Sequence, residues 1–126
     1  MDYSFYLCLR LLHEPFEIQN RAKRQLFLRN KAIEAGNVDE ANEISEFCLF
    51  WKAQCIASVL YKSAPKESSA IMTTTMKTFR ISRKQQKIAE SKVGTNAIKS
   101  LNELLRTTEL NQDQTDCLTF IETMIP

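Results

Sequence analysis

Six basic residues between positions 77 and 92 carry the strongest chemical signal in the sequence: Lys77, Arg80, Arg83, Lys84, Lys87 and Lys92. Four of them, Lys77, Arg80, Lys84 and Lys87, are spaced by three or four residues, so a helix places them in one row with Arg83 beside it. A row of cations one helical turn apart can follow a chain of phosphates. The pattern therefore predicts a binding surface for an anionic partner.

The charge around this segment is unevenly distributed, although the formal net charge of the chain is only +2. Residues 62–99 contain nine basic and two acidic side chains, whereas residues 100–126 contain one basic and five acidic ones. Three interpretations are open. The basic segment contacts nucleic-acid phosphates, or it docks on an acidic protein surface, or it is a solvated face that pairs with the acidic C-terminal helices of its own chain or of a second copy. No aromatic residue interrupts the row except Phe79 at its edge, so base stacking is not predicted there.

Side chains suited to catalysis or metal binding are few. The single histidine, His13, stands beside Pro15 near the end of an apolar segment, where it is expected to interact with terminal carbonyls rather than to act as a base. The sequence has four cysteines and no CxxC pair among them, so a metal site is not predicted: Cys8, Cys48, Cys55 and Cys117. Each lies in an apolar run, which predicts buried free thiols. Two isolated glycines cannot form a phosphate-binding loop. We therefore expect no catalytic residues, no metal, no cofactor and no enzymatic activity.

The composition predicts an all-α fold. Only 2 Gly and 3 Pro occur in 126 residues, which is too few for the many tight turns of a β-sandwich or barrel. The length indicates one domain, and the proportions of apolar and charged residues are those of a globular protein. We predict a compact bundle of five to six helices in a single domain over residues 1–126. No apolar run is long enough to span a membrane and the N-terminus lacks a basic leader region, so a cytoplasmic location is predicted.

The centre of the predicted bundle is an antiparallel αα-hairpin. Gly36 can adopt the left-handed conformation that ends a helix, Asn37 can cap the next helix, and Glu40 can complete a capping box. About a dozen residues here resemble the turn inside tetratricopeptide-type helical repeats, although no second copy follows at a period of about 34 residues. The helix before the turn is predicted from Pro15 to Ala35, with an apolar stripe of Phe16, Ile18, Ala22, Leu26, Phe27, Leu28 and Ile33. The helix after it runs from Val38 to about Lys62, with Ile44, Cys48, Trp51, Cys55 and Val59 forming its main stripe.

Shorter elements are predicted on either side of this hairpin. A first helix spans Tyr3 to His13. Seven of the 16 residues from Ser63 to Thr78 are Ser or Thr, which favours a flexible loop. A polar helix then runs from Lys77 to Val93 and ends at Gly94. A fifth helix contains the apolar residues Ile98, Leu101, Leu104 and Leu105, and a last helix starts near Gln112.

These features together predict a small non-enzymatic regulatory or adaptor protein that acts by binding. In the first hypothesis the basic segment contacts nucleic-acid phosphates, and in the alternative it docks on an acidic partner protein. The two strongly apolar helices, Tyr3 to His13 and the second half of Val38 to Lys62, exceed what so small a core needs, which also favours a homodimer.

Overall fold

A computed structural model of the chain describes residues 14–85 and 93–125, with the side chains of residues 43, 46, 47 and 79–85 left out of the description. Over these residues the chain forms five helices: α1 (Pro15–Glu34), α2 (Val38–Tyr61), α3 (Pro65–Gln85), α4 (Val93–Arg106) and α5 (Gln112–Met124). The prediction of an all-α bundle is confirmed. The predicted helix from Tyr3 to His13 lies outside the described residues. None of the five described helices is long and apolar enough to cross a lipid bilayer.

The predicted αα-hairpin joins α1 to α2. Gly36 has a φ of +75°, and the amides of Gly36 and Asn37 donate to the carbonyls of Ile33 and Ala32, which closes the C-terminus of α1. The Asn37 side chain accepts a hydrogen bond from the Glu40 amide at 3.2 Å, as predicted. Only half of the predicted capping box forms, because the Asn37 amide is already used by α1. The Glu40 carboxylate accepts from the Asn37 side chain instead, at 2.9 Å.

Helix α2 is the central element, and α1, α3, α4 and α5 all pack against it. Every residue from 52 to 60 is buried, which agrees with the predicted helix that is apolar nearly all round. Of the predicted stripe, Cys48, Cys55 and Val59 are buried, while Ile44 and Trp51 are partly buried. The buried cluster around α2 draws residues from all five described helices. The other described helices of the same chain therefore cover the apolar half of α2, which was one reason to predict a homodimer.

The apolar stripe predicted for α1 is largely wrong. Ile18 and Ala22 are fully buried as expected, but the large side chains of Phe16, Phe27 and Ile33 are 81%, 59% and 57% exposed. The buried line follows positions 18, 22 and 32, and two of these three residues are alanines. Phe16 and Phe27 then fall on the opposite side of the helix.

The loop predicted for residues 63–78 is also wrong, since α3 begins at Pro65 and continues through this segment. Its buried side includes Met72 (fully buried) and Met76, together with Ser68 and Thr75. The Thr75 hydroxyl donates to the carbonyl of Ile71 at 2.7 Å, so burial does not leave it unpaired. Apolar burial on α2 and α4 outweighs the weak helix propensity of the Ser and Thr residues.

The prediction that Gly94 ends a helix is wrong, since Gly94 lies in the first turn of α4. A Cβ atom at this position would meet Leu49 Cβ at 2.8 Å and the Phe50 amide nitrogen at 2.9 Å. The absence of a side chain therefore allows α4 to approach the backbone of α2. Position 94 is a packing glycine.

The two C-terminal helices follow the predicted pattern more closely. In α4, Leu101 is fully buried and Ile98, Leu104 and Leu105 are partly buried against the core. Helix α5 begins at Gln112, as predicted, and is capped by a reciprocal pair of hydrogen bonds between Asn111 and Gln114. Ile121 inserts into the common core. The prediction that all 126 residues form one domain stays a prediction.

Candidate nucleic-acid interface

Helix α3 presents basic residues on the side that faces away from the core. Met72 and Met76 lie on its buried side, whereas Lys66 and Lys77 are exposed. These two lysines are eleven residues apart, which is three helical turns, so they lie on one line about 16 Å apart along the helix axis. Because the chain between them is helical, the fold aligns two lysines that are far apart in the sequence.

The line continues beyond Lys77 because α3 remains helical as far as Gln85. Arg80 and Lys84 follow Lys77 by three and seven residues, so the helical register places them beside the same line. We call Lys66, Lys77, Arg80 and Lys84 the basic row. The first and the last of them are 18 positions apart, or about 27 Å along the helix.

The other predicted site residues are not placed in this row. Arg83 follows the buried Met76 by seven residues, so its register position continues the core-facing line of α3. Lys87 and Lys92 belong to residues 86–92 and lie outside the described residues. Of the six predicted site residues, Lys77 is therefore the one with a described, exposed side chain.

Lys66 was missed by the sequence reasoning. The segment from Ser63 to Thr78 looked like a loop, and a loop gives no reason to align Lys66 with Lys77. The signal that identifies it is the spacing of eleven residues, which is informative only once the intervening chain is known to be helical.

A cleft of about 470 Å³ lies between α3 and α4, and Thr74 in its lining is three residues before Lys77 on α3. Its floor includes Ile71, Val93 and Ala97, and its polar lining includes Thr74, Thr78, Asn96 and Ser100. The Thr78 hydroxyl donates to the Thr74 carbonyl at 2.9 Å. The side chains of Thr74, Asn96 and Ser100 have no hydrogen-bond partner among the described residues, so they are available to donate to phosphate or sugar oxygens.

Lys66 and Lys77, the two members of the basic row with described side chains, form no ion pair with the residues that the structure describes. The three ion pairs formed there are Arg21–Glu17, Lys31–Glu34 and Lys52–Glu122. None of them involves Lys66 or Lys77. Neither lysine therefore pairs with a described acidic residue of the C-terminal helices, although one interpretation of the basic segment predicts such a pair. No described residue neutralises their charges, which can therefore attract a polyanion.

The two buried cysteines offer little thiolate chemistry. Cys48 and Cys55 are buried free thiols, as predicted, whereas Cys117 is exposed because it lies on the outer side of α5. Burial raises the pKa of Cys55 to about 12, and burial also raises the pKa of Cys48 despite the opposing charge of Arg29. Both buried thiols are therefore protonated at neutral pH. Cys8 and His13 lie outside the described residues.

Within residues 14–85 and 93–125, no three His, Cys, Asp or Glu side chains come together in a group that could hold a metal ion. Comparison of the chain with protein-family models, with curated proteins and with solved structures finds no match.

Proposed function

We propose that this protein is a non-enzymatic regulatory protein that binds nucleic acid through its phosphate backbone, with the basic row of α3 as the contact. The observation that carries the proposal is the exposure of Lys66 and Lys77 on one line of a single helix, without an ion pair to any described residue. Arg80 and Lys84 extend this line by register. Lysine and arginine that neutralise phosphates release bound counterions, which is the main source of affinity in such complexes.

The cleft beside the row supplies contacts of a second kind. Thr74, Asn96 and Ser100 can donate neutral hydrogen bonds to phosphate or sugar oxygens once the cations have drawn the backbone close. Such contacts fix the position of the strand without reading its sequence. We therefore expect affinity that depends strongly on salt and little on sequence.

The test is fluorescence anisotropy of labelled mixed-sequence DNA and RNA with the purified protein. Four phosphate contacts give a slope of about −3.6 in log affinity against log salt, so raising salt from about 50 mM to about 200 mM should weaken binding about 100-fold. Lys77→Gln and Lys66→Gln should each reduce the magnitude of that slope by about 1.

Arg106→Gln provides the matched control, because it removes the same charge from an exposed residue at the end of α4. This variant should leave the slope unchanged. If both lysine variants bind with the parental slope, the basic row is not the phosphate contact.

The second candidate function is docking on an acidic surface of a partner protein, as an inhibitor or adaptor. The same unpaired cations of α3 favour it, since carboxylates on a protein surface attract them as phosphates do. The absence of an anisotropy change at about 50 mM salt would reject the nucleic-acid proposal and leave this alternative.

The cellular setting is part of the proposal. Buried cysteines that remain free thiols, such as Cys48 and Cys55, are typical of a reducing compartment, and we place the protein in the cytoplasm on that ground. Homodimer formation stays a prediction. The protein's own helices cover the apolar half of α2, and the other apolar segment on which the prediction rests, Tyr3 to His13, lies outside the described residues.

A further inference from the structure

A second exposed surface combines aromatic rings with cations, and it lies on α1 rather than on α3. Phe16 and Phe27 are 81% and 59% exposed and are eleven residues apart, so they lie on one line of α1, about 16 Å from each other. Lys23, also exposed, lies between them on this line. We call Phe16, Lys23 and Phe27, together with Phe120 of α5, the aromatic face.

Phe120 extends the aromatic face onto a second helix. Its side chain is 45% exposed, and Lys23 Nζ lies 5.6 Å from the centre of its ring. Lys31 Nζ lies 5.5 Å from the centre of the Phe27 ring. Each of these two rings therefore has an ammonium group within cation–π distance.

The charge of α1 is only partly compensated within the described chain. Arg21 pairs with Glu17 at 3.2 Å and Lys31 with Glu34 at 3.8 Å, and these pairs use both acidic residues of the helix. Lys23 and Arg24 are exposed and form no ion pair with a described residue. The aromatic face is therefore bordered by cations that attract an anion.

Exposed rings bordered by unpaired cations fit one class of partner better than others. A purely apolar partner would have to desolvate Lys23 and Arg24 without compensation, whereas a nucleic-acid strand brings phosphates to them. Bases of a single strand are free to stack on side chains, while those of a duplex are stacked on one another. Base stacking on aromatic residues combined with cations along the backbone is the usual mode of single-strand binding.

We propose that the aromatic face binds single-stranded nucleic acid, with bases stacking on Phe16, Phe27 and Phe120 and with Lys23 and Arg24 contacting phosphates. This inference deepens the proposed function and rests on it for the choice of nucleic acid as the ligand. It uses different residues on different helices, so the two can fail separately. The basic row supplies most of the affinity that depends on salt, and the rings of the aromatic face supply the preference for single strands.

The experiment measures how tightly the protein binds a labelled oligothymidine of about 12 nucleotides and compares this affinity with that for a duplex of the same length. The double variant Phe16→Leu/Phe27→Leu keeps the apolar surface but removes both rings. It should weaken single-strand binding at least tenfold, since stacking contributes roughly this much per base, and should leave duplex binding unchanged. Phe27→Trp, which keeps an aromatic ring, should preserve single-strand binding.

Ile33→Ala is the matched control, because Ile33 is also a large exposed apolar residue of α1 (57% exposed) but lies off the line of Phe16 and Phe27. It should leave both affinities unchanged. Thermal unfolding of each variant completes the test. Exposed rings can be replaced with little change in midpoint, whereas a fall of many degrees would show that another segment or a second copy covers them.

Three results would overturn the inference. These are parental single-strand affinity in the Phe16→Leu/Phe27→Leu variant, equal weakening of single-strand and duplex binding, or strong destabilisation by the double variant. A reduced salt slope in Lys77→Gln with no effect of the ring variants would preserve the basic row and reject the aromatic face. The opposite pattern would preserve the aromatic face and reject the basic row.

Discussion

Replacement of Gly94 by alanine tests the packing of α4 on α2. The new Cβ would lie 2.8 Å from Leu49 Cβ, 2.9 Å from the Phe50 amide nitrogen and 3.0 Å from the Leu49 carbonyl carbon. Two of these three atoms belong to the backbone of α2, so a change of side-chain rotamer cannot relieve the overlap. Helix α4 must move away from α2 as a unit.

The size of the effect follows from two opposing contributions. Overpacking of this kind costs about 1–3 kcal/mol. Alanine recovers at most about 1 kcal/mol relative to glycine through its better helix propensity. We expect Gly94→Ala to lower the free energy of unfolding by about 1–2 kcal/mol, which for a chain of this size lowers the unfolding midpoint by about 5 °C.

The assay is thermal unfolding followed by circular dichroism at 222 nm. Ser100→Ala serves as the control, because Ser100 is exposed on the same helix and its replacement improves helix propensity without a new backbone contact. That variant should unfold at the parental temperature or slightly above it. A midpoint for Gly94→Ala that equals or exceeds that of Ser100→Ala would refute the argument that close backbone approach requires glycine here.

Three further predictions concern buried polar groups. Glu122→Gln should lower the free energy of unfolding by about 1 kcal/mol, measured by urea unfolding, because it leaves the largely buried Lys52 side chain without the carboxylate that now lies 3.1 Å from its Nζ. Lys52→Met should cost less, since it removes the positive charge together with its need for a partner. Gln114→Leu should cost about 2 kcal/mol in the same assay, because the Gln114 amide donates to the Val59 carbonyl and to the Ser63 hydroxyl, and a parental value would contradict this role. Burial raises the pKa of the Cys55 thiol to about 12 from an ordinary 9.0, so the unfolded chain loses this proton at a lower pH than the folded chain does. The free energy of unfolding should therefore fall as pH rises from about 9 towards 12. Unfolding measured across this pH range with Cys55→Ala as the reference would detect the fall, and a parental curve parallel to that of the variant would contradict it.

The sequence predicted part of the candidate site and missed another part. Lys77 was identified because its spacing to Arg80 and Lys84 is helical over a short stretch. Lys66 was missed because the Ser- and Thr-rich segment before Lys77 has low intrinsic helix propensity. Its helix forms through contacts that Met72 and Met76 make with other helices, and such contacts are not visible in a local pattern.

The aromatic face was missed for a related reason. Phe16 and Phe27 were assigned to the core because large apolar residues are usually buried. The alternative line through Ile18 and Ala22 also has helical spacing, and periodicity alone does not choose between two such lines. The packing of α1 against α2 buries the line of Ile18 and Ala22 and leaves both rings exposed.

Local features of the sequence by themselves determined the all-α class, the hairpin at Gly36, the start of α5 and the burial of Cys48 and Cys55. The all-α class follows from a composition with few Gly and Pro residues, and the other features depend on residues a few positions apart in one helix or turn, which capping chemistry and apolar periodicity specify. The tertiary structure alone decided the helical state of residues 65–78, the packing role of Gly94 and the side of α1 that faces α2. These depend on which helix lies opposite and how closely, and partners distant in the chain set that distance.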